Sequence, residues 1–307
     1  MYDIIIVGAG TAGLSAAIYA VRAGKRVLIL EALMYGGQII NTPLVENYPG
    51  INKISGFEFA QNLYKQATGL GAEFQNDKVH ALEKTEDGLW RIKGKNLEYQ
   101  CKSVILATGT VKRNLDIPGE KEFLGKGVSY CATCDGNFFK GKDVVVAGGG
   151  STALTDAVFL SQYCSMVYLV HRRDTFRGEQ HILELLKEKP NVQFILNTAI
   201  LRIDGEQTVS SVFLKDNVSG KEFELRTSGV FVAVGQKAAN EVFENVVELD
   251  SDGYIKAEED CHTSTPGIFV AGDCRTKKVR QLATAAADGA VAALEAVMFV
   301  NHLKNVE

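Results

Sequence analysis

An internal repeat constrains this 307-residue chain more than any other feature of its sequence. The segment beginning at Asp3 reads DIIIVGAGTAGLSAAIYAVRAGKRVLILEA, and the segment beginning 140 residues later, at Asp143, reads DVVVAGGGSTALTDAVFLSQYCSMVYLVHRR. Both contain an acidic residue, four apolar residues, a glycine turn, a helix of small residues and a second apolar strand. Because such a β-α-β unit holds one nucleotide beside its first turn, the duplication predicts two nucleotide sites in an α/β fold.

The residues of each turn have the spacing that suits a bound pyrophosphate. The first glycine makes the tight turn, the second lets the backbone approach the pyrophosphate, and the third position lets the helix pack closely on the strand. The pyrophosphate then lies at the helix N-terminus, where free N–H groups favour negative charge. The predicted contacts are Gly8, Gly10 and Gly13 in the first copy and Gly148, Gly150, Ser151, Thr152 and Ala153 in the second.

The two copies differ where the second strand ends, at the position that contacts the adenine ribose. Glu31 stands there in the first copy, and a carboxylate accepts hydrogen bonds from free ribose hydroxyls. His171 stands there in the second copy, followed by Arg172, Arg173 and Arg177, and guanidinium groups suit a 2′-phosphate. We therefore predict FAD in the first site and NADPH in the second, with a solvated basic corner as the alternative for the arginines.

Three further apolar strands end in glycine, at residues 103–109, 229–235 and 267–273. Strands of a parallel sheet end in this way where their loops meet a ligand. Asp273 closes the last of them, and a helix of small residues follows at about 282–302, whose first turn could face the flavin. Taken alone, Asp273 would more commonly be a turn or helix-capping residue.

The order of these strands predicts an α/β fold of two Rossmann-like dinucleotide-binding domains, with the NADPH domain inserted into the FAD domain. The FAD domain would occupy residues 1–114 and return at 245–307, because the last strand and helix complete it. The NADPH domain, which contains a Cys-x-x-Cys pair, would occupy residues 115–244. We predict hinges at 114–119 and 240–245.

The composition excludes several classes of function. Lys and Arg number 33 and Asp and Glu 37, so the net charge of −4 provides no positive field for nucleic acid. The uncharged run at 4–21 is interrupted by glycines and lacks a basic flank, which argues against a membrane span or a signal peptide. Six cysteines are too few for a disulfide scaffold, and we expect a cytoplasmic protein.

The stretch YCATCDG contains the one closely spaced cysteine pair, Cys131 and Cys134. A zinc site would need a second such pair or closely spaced histidines, and the sequence has neither. Two inert buried thiols are an alternative, but a Cys-x-x-Cys beside a β-α-β unit is typical of a redox pair. In that interpretation Asp135 is the general acid/base for the thiol proton. The alternative is a turn residue, because the sequence Asp-Gly-Asn favours a type I′ or left-handed turn.

Seven motifs occur in a characteristic order along the whole chain. They are GAGTAG at 8–13, GGQIINTPLVENYPG at 36–50, ATG at 107–109, YCATCDG at 130–136, GGGSTA at 148–153, HRRDTFR at 171–177, and GD with RQLATAAADG between 272 and 289. In these motifs the chain resembles the low-molecular-weight thioredoxin reductases of bacteria.

The resemblance implies a homodimer with one FAD in each subunit. NADPH would donate a hydride to the flavin, the flavin would reduce the Cys131–Cys134 disulfide, and the dithiol would reduce thioredoxin. By position, Cys134 would face the flavin, Cys131 would attack thioredoxin, and Asp135 would be the acid/base. The matching flavin contacts are Glu31, Gln38, Asn47, Thr108, Gly109, Asp273, Arg280 and Gln281, and the matching NADPH contacts are His171, Arg172, Arg173 and Arg177.

Three alternatives remain open at the level of sequence. A related flavoprotein could serve another disulfide protein, or it could take electrons from ferredoxin, although ferredoxin-dependent relatives lack the arginine cluster that this chain keeps. The non-enzymatic alternative is a redox sensor that binds both nucleotides without turnover.

Overall fold

The computed structural model describes residues 1–42 and 44–304. By its internal contacts the chain forms two compact units: the first unit comprises residues 1–111 and those from 237 onward, and the second unit comprises residues 112–236. The domain limits proposed from the sequence, at 114/115 and 244/245, remain a prediction.

The chain order of the elements shows where the second unit is inserted. The first part contains β1 (Tyr2–Val7), α1 (Thr11–Arg22), β2 (Val27–Glu31), α2 (Gly56–Gly69), β3 (Glu73–Asn76), β4 (Val79–Lys84), β5 (Trp90–Gly94), β6 (Glu98–Leu106) and β7 (Thr110–Lys112). The middle part contains β8 (Val128–Ser129), α3 (Ala132–Asp135), β9 (Asp143–Ala147), α4 (Ser151–Leu160), β10 (Met166–Val170), α5 (Gln180–Lys187), β11 (Val192–Ile195), β12 (Thr198–Gly205), β13 (Val209–Asp216), β14 (Glu222–Arg226) and β15 (Gly229–Val232). The last part contains β16 (Gln236–Ala238), β17 (Ile268–Val270) and α6 (Leu282–Lys304). Short 3₁₀ helices lie at Gly37–Asn41, Gly136–Phe139 and Glu241–Phe243.

The main sheet of the first unit has the strand order β3-β2-β1-β6-β5-β4, with β17 also paired to β6. Strand β6 accommodates two neighbours on one edge because its residues 98–101 pair antiparallel with β5 and its residues 104–106 pair parallel with β17. Alternate residues of β1 enter two different cores, with Ile4 and Ile6 on one face and Ile5 on the other. Burial on both faces explains why this strand is apolar throughout, as parallel strands commonly are.

Helix α6 packs against α1 through small residues. A Cβ atom on Gly289 would lie 2.2 Å from the carbonyl O of Ala12, so the two helices approach too closely for any side chain there.

Residues 282–303 of α6 are long and apolar enough to cross a bilayer by length and composition alone, but 44% of the most apolar stretch of this helix is buried in the protein. A core helix of a globular protein meets the same criterion, so this finding is weak evidence for a membrane span.

The second unit is built on a parallel sheet in the order β11-β10-β9-β15-β8, accompanied by the antiparallel sheet β12-β13-β14. Its β9-α4-β10 segment repeats β1-α1-β2 of the first unit. In the first copy the N–H of Gly8 donates to the carbonyl of Leu30 at 2.8 Å, and in the second Gly148 donates to Val170 at 3.0 Å. The equivalent bonds are again 140 residues apart. The predicted duplication and α/β fold class are confirmed.

Candidate functional site

The first glycine turn gives each of its three glycines a different environment. Gly8 has a φ of 107°, and a Cβ atom on it would lie 2.3 Å from the carbonyl O of Ala107. A Cβ atom on Gly13 would lie 1.9 Å from the carbonyl O of Gly8, so α1 packs directly on the turn. No described atom outside the neighbouring residues lies within 4 Å of the corresponding position on Gly10. The open space at Gly10 is where a pyrophosphate can approach the backbone.

The second turn reproduces this arrangement. Gly148 has a φ of 152°, and its Cβ position lies 2.2 Å from the carbonyl O of Ala233 and 2.9 Å from the Cβ atom of Ala153. Gly150, like Gly10, faces open space among the described atoms. Helix α4 begins with two exposed hydroxyl residues, Ser151 and Thr152. A second anion can therefore reach the N-terminus of a helix here.

Glu31 lies against the first turn at the end of β2. Its Oε2 atom accepts the N–H of Ala9 at 2.8 Å, and its Oε1 atom accepts the N–H of Leu33 at 3.0 Å. Each carboxylate oxygen can accept a further hydrogen bond, so Glu31 is oriented by the backbone and still able to bind ribose hydroxyls.

Other predicted flavin contacts are brought together from distant parts of the first unit. The side-chain amide of Gln38 donates to the carbonyl O and the hydroxyl of Thr110 at 2.7 and 2.8 Å. The amide of Asn47 donates to Oε1 of Gln281 at 3.2 Å, across 234 residues of sequence. Gly109 has a φ of 65°, a conformation that favours glycine.

Asn240 supports the loop that contains Thr108 and Gly109, and it was not among the predicted site residues. Its side chain is fully buried, and its Oδ1 atom accepts the hydroxyl of Thr108 at 2.7 Å. Its Nδ2 atom donates to the carbonyls of Gly253 and Cys274, both at 2.9 Å. One buried amide thus connects three loops, and no local pattern in the sequence signals this role.

Asp273 has an oxygen suited to a hydroxyl-bearing ligand. Its Oδ1 atom is buried and has no hydrogen-bond partner among the described residues. Burial raises the pKa of Asp273 above its ordinary value. Arg280 donates from Nε to the backbone carbonyl of Asp273 at 3.4 Å, and its guanidinium lies 4.2 Å above the ring of Tyr254. Because an unpaired buried acceptor is unfavourable, a ligand hydroxyl donating to Oδ1 would stabilise the site.

A buried charge network supports the turn that contains Asp273. Asp288 of α6 accepts two hydrogen bonds from Arg275 at 2.9 Å, one from Lys277 at 2.8 Å and one from the N–H of Gly272 at 2.9 Å. Burial alone would raise the pKa of Asp288, but the Arg275 and Lys277 partners outweigh burial and lower it. The sequence signal for this network was an acidic residue among the small apolar residues in the first half of α6, and Asp288 was not among the predicted site residues.

The ring of His171 packs against the second glycine turn at Gly149. A Cβ atom on Gly149 would lie 2.3 Å from its ring, and the ring stacks on Phe176 with centroids 5.4 Å apart. Burial, and then the charges of Arg173 and Arg172, lower the pKa of His171, so the ring is neutral at pH 7. Its Nε2 atom is buried without a hydrogen-bond partner in the described part of the chain.

The predicted phosphate-binding arginines lie on an ordered loop beside this turn. The N–H of Arg177 donates to the carbonyl of Gly149 at 2.7 Å, and the amide of Asn217 donates to the carbonyl of Arg172 at 3.1 Å. The side chains of Arg172, Arg173 and Arg177 are all exposed. The backbone is therefore held in place while three guanidinium groups remain accessible to an anion.

Cys131 and Cys134 form a disulfide across helix α3. The Sγ atom of Cys131 accepts the N–H of Cys134 at 3.2 Å and lies 3.4 Å from the hydroxyl of Thr133. Cys131 is half-buried, whereas Cys134 is exposed. Hydrogen-bond donors around a sulfur favour its thiolate form, so Cys131 has the environment of a reactive thiol once the disulfide is reduced.

Asp135 lies at the end of α3, beside the disulfide. The alternative prediction of a type I′ or left-handed turn at this position is wrong, because Asp135 has a φ of −111° and Gly136 a φ of −55°. The Oδ2 atom of Asp135 accepts the hydroxyl of Ser129 at 2.6 Å, and the same hydroxyl oxygen accepts the N–H of Cys131 at 3.0 Å.

Further charged groups surround the motif, and none of them was predicted as part of the site. The ammonium of Lys112 donates to the carbonyl of Tyr130, which precedes the first cysteine. The hydroxyl of Tyr130 donates to Glu120 at 2.7 Å. Burial lowers the pKa of Lys112, whereas burial raises the pKa of Asp156 on α4 to about 7, against the opposing effect of Lys112. The local sequence does not reveal these residues because they lie up to 44 positions apart.

The remaining cysteines lie in different surroundings from the pair. Cys101, Cys164, Cys261 and Cys274 are free and buried. Burial raises the pKa of Cys101 and of Cys261 to about 12, so these thiols stay protonated at neutral pH. Among the residues that the structure describes, no group of three or more His, Cys, Asp or Glu side chains is arranged to hold a metal.

Comparison with known proteins gives a consistent result over the whole chain. The model of the pyridine nucleotide-disulphide oxidoreductase family matches residues 2–290. The thioredoxin reductase of Treponema pallidum is 46% identical over 305 residues, which cover 99% of both chains. The crystal structure of Lactococcus lactis thioredoxin reductase superimposes with a TM-score of 0.94 at 37% identity, covering 98% of this chain and 100% of that one. The thioredoxin reductase of T. acidophilum gives a TM-score of 0.91 at 36% identity, covering 100% and 99%.

Replacing Asp288 with Asn should destabilise the first unit by about 3–5 kcal/mol at neutral pH, because Arg275 and Lys277 would lose their buried counter-charge. A carboxylate with a lowered pKa stabilises the fold above its unfolded pKa, near 4, and this stabilisation is lost as pH falls through the folded pKa. The variant should therefore lose less stability than the wild type on acidification. Urea unfolding followed by fluorescence of Trp90, the single tryptophan, measures both effects.

The exposed ion pair of Glu73 with Arg26 is the matched control, and Glu73→Gln should cost no more than about 1 kcal/mol. An Asp288→Asn variant as stable as this control at neutral pH would contradict the role of the network.

Proposed function

The chain belongs to the pyridine nucleotide-disulphide oxidoreductase family and within it to the thioredoxin reductases, and on that premise we propose that it is an NADPH-dependent, FAD-containing enzyme that reduces the disulfide of thioredoxin. The observation that carries the proposal is the Cys131–Cys134 disulfide, which lies in the same compact unit as a glycine turn flanked by arginines. A disulfide and a nicotinamide site in one chain are the requirements of this reaction.

The first unit has the residues expected to hold FAD. The open backbone at Gly10 would receive the pyrophosphate, Glu31 the adenine ribose, and the unpaired Oδ1 atom of Asp273 a hydroxyl of the ribityl chain. Bound FAD would supply a carrier able to accept a hydride from NADPH and to pass an electron pair to the disulfide. The remaining proposed contacts are Gly8, Gly13, Gln38, Asn47, Thr108, Gly109, Arg280 and Gln281.

The second unit has the residues expected to hold NADPH. Its pyrophosphate would lie at Gly150 and the start of α4, near the proposed contacts Ser151 and Thr152. The exposed guanidiniums of Arg172, Arg173 and Arg177 would bind the 2′-phosphate, which NADH lacks. The neutral ring of His171 would pack above the turn without adding charge.

The chemistry of the pair follows from thiol–disulfide exchange. Reduction breaks the S–S bond, and the two sulfurs gain two electrons and up to two protons. The thiolate of Cys131, favoured by the N–H of Cys134, would attack the thioredoxin disulfide and release one thioredoxin thiolate. Cys134 would then displace the second thioredoxin sulfur and restore the enzyme disulfide. We propose that Asp135 takes the proton from the attacking thiol and returns it to the leaving thiolate.

The ferredoxin-dependent alternative is less well supported by the site. A protein that received electrons from ferredoxin would have no need for three accessible guanidiniums beside a second nucleotide turn. A different disulfide protein as substrate would use the same chemistry and differ only in the docking surface.

We also propose that the protein is a cytoplasmic homodimer. Four free buried cysteines suit a reducing compartment. On α6, Leu294 and Met298 are 47% and 48% exposed and four residues apart, so two large apolar side chains lie on one accessible face of the helix. A second copy of the chain could cover this face.

Replacing either cysteine of the pair with Ser should lower thioredoxin reduction by at least about 10³-fold, because the nucleophile is removed, while FAD and NADPH stay bound. A thioredoxin with one cysteine, activated as a mixed disulfide with thionitrobenzoate, then distinguishes the two sulfurs by the absorbance of the released thiolate. Cys131 in Cys134→Ser should react at least about tenfold faster than Cys134 in Cys131→Ser.

Turnover by either variant at the wild-type rate would exclude the proposed redox pair. Faster reaction of Cys134, which is the more exposed residue, would reverse the order of the two sulfurs.

Replacing Arg172, Arg173 and Arg177 together with Ala should raise the KM for NADPH by about 10–100-fold, because charged hydrogen bonds to the 2′-phosphate are lost, and should leave the KM for NADH unchanged. Steady-state kinetics with both nucleotides measures the selectivity. Arg226→Ala, at an exposed arginine of β14, is the control.

An equal rise in the KM for NADPH and for NADH would show that the arginines do not recognise the 2′-phosphate. Failure of both nucleotides to reduce the wild-type flavin would favour ferredoxin as the donor.

Light scattering should give twice the chain mass for the wild type. The double variant Leu294→Glu with Met298→Glu should shift the protein toward the monomer, because burial of two unpaired carboxylates at an apolar interface is unfavourable. Val218→Glu, at a 79% exposed position in the second unit, is the control. A monomeric wild type, or binding of the wild type to lipid vesicles through this face, would contradict the dimer.

A further inference from the structure

The hydroxyl of Ser129 connects the two reactive parts of the cysteine motif. We propose that Ser129 is a positioning residue for the exchange reaction: it holds the carboxylate of Asp135 against the backbone of Cys131 and keeps that carboxylate hydrogen-bonded in both of its protonation states. The inference deepens the proposed function and rests on exchange at the Cys131–Cys134 pair.

The geometry around Ser129 is specific. Its side chain is 4% exposed, and it ends strand β8, two residues before the first cysteine. The Oγ atom donates to Oδ2 of Asp135 at 2.6 Å and accepts the N–H of Cys131 at 3.0 Å. The carbonyl O of Cys131 lies 3.3 Å from the same Oγ atom, as a second acceptor for the hydroxyl proton. The short bond to a carboxylate is the stronger of the two donor options.

These contacts let the hydroxyl adapt when Asp135 gains a proton. With an ionised carboxylate, Ser129 donates to Asp135 and accepts from the N–H of Cys131. With a protonated carboxyl group, the hydroxyl can rotate to donate to the carbonyl of Cys131 while its second lone pair accepts from Asp135. No buried polar group loses its partner in either state, which avoids the penalty for an unpaired hydroxyl or carboxyl.

The proton balance of the exchange explains why a hydroxyl that can rotate is useful beside Asp135. A Cys S–H bond must break as its sulfur forms the new S–S bond, and the thiolate released from the old disulfide takes up a proton. Asp135 would carry that proton between the two events, so its carboxyl group alternates between charged and neutral in every cycle. A fixed donor that could not rotate would stabilise only the ionised form.

Two other charged groups on neighbouring elements influence Asp135, Lys112 directly and Asp156 through Lys112. Lys112 of β7 attracts Asp135 and is anchored on the carbonyl of Tyr130. Asp156 of α4 interacts electrostatically with Lys112, and burial raises the pKa of Asp156 to about 7, so Asp156 titrates near neutrality. A test of Ser129 must separate its effect from that of Asp156.

The test uses the full-length protein, reduced with dithiothreitol, freed of the reductant and reacted with a dipyridyl disulfide over a range of pH. Ser129→Ala should slow the reaction by about 10–100-fold, as expected for the loss of a hydrogen bond to a charged group. Asp135→Asn should also slow the reaction, and adding Ser129→Ala to it should cause no further loss.

Three further variants provide controls. Ser161→Ala removes another buried hydroxyl of the same unit, which donates to the carbonyl of Val158, and should leave the profile unchanged. Ser129→Ala should slow the reaction by the same factor when Asp156 is replaced with Asn. Ser129→Thr keeps the hydroxyl and should restore the profile of the wild type. Retained binding of NADP⁺ shows that each variant is folded.

Additive losses with Asp135→Asn, or a Ser129→Thr variant as slow as Ser129→Ala, would overturn the inference. The small disulfide requires no nucleotide and no thioredoxin, so the result is independent of the donor and the protein substrate. A chain that shows these effects but does not reduce thioredoxin would contradict the proposed function and leave the role of Ser129 standing.

Discussion

The close turn from a buried strand into a helix is the constraint on which both nucleotide sites depend. At Gly8 and Gly148 a Cβ atom would lie 2.3 and 2.2 Å from a carbonyl oxygen of the neighbouring strand, so only glycine fits. The backbone N–H of each closes on the end of the next strand, at Leu30 and Val170. The turn leaves open space at Gly10 and Gly150, beside the start of the following helix, where free N–H groups favour an anion.

Two carboxylates near the end of the first unit have opposite electrostatic environments. Asp273 is buried with one unpaired oxygen, and burial raises its pKa. Asp288 is also buried, but Arg275 and Lys277 bind it directly and lower its pKa. The second carboxylate neutralises the cations and fixes the loop, which leaves the first free to bind. Asp288 thus supports the loop, whereas Asp273 is the residue that we propose for ligand binding, so the two roles should be separable by experiment.

The cysteine motif depends on individual hydrogen bonds rather than on a helix dipole. Helix α3 has four residues, and so short a helix has little macrodipole to offer a thiolate. Single donors take its place: the N–H of Cys134 on the sulfur of Cys131, and the hydroxyl of Ser129 on Asp135. Because the Ser129 hydroxyl is buried and bonded to both residues, it holds the carboxylate that we propose as the proton carrier beside the backbone of Cys131.

The sequence by itself determined the duplicated β-α-β unit, the two glycine turns and the redox character of the cysteine pair, because these depend on periodicity and turn chemistry within about 30 residues. The local preference of Asp135-Gly136 for a left-handed turn failed, since the chain continues there from one helical turn into another. Only the tertiary structure decided which groups support the sites. The bond from Thr108 to Asn240 spans 132 residues, and that from Gly272 to Asp288 joins a loop to helix α6. Partner choice over such distances is a property of the packed core, which no local pattern encodes.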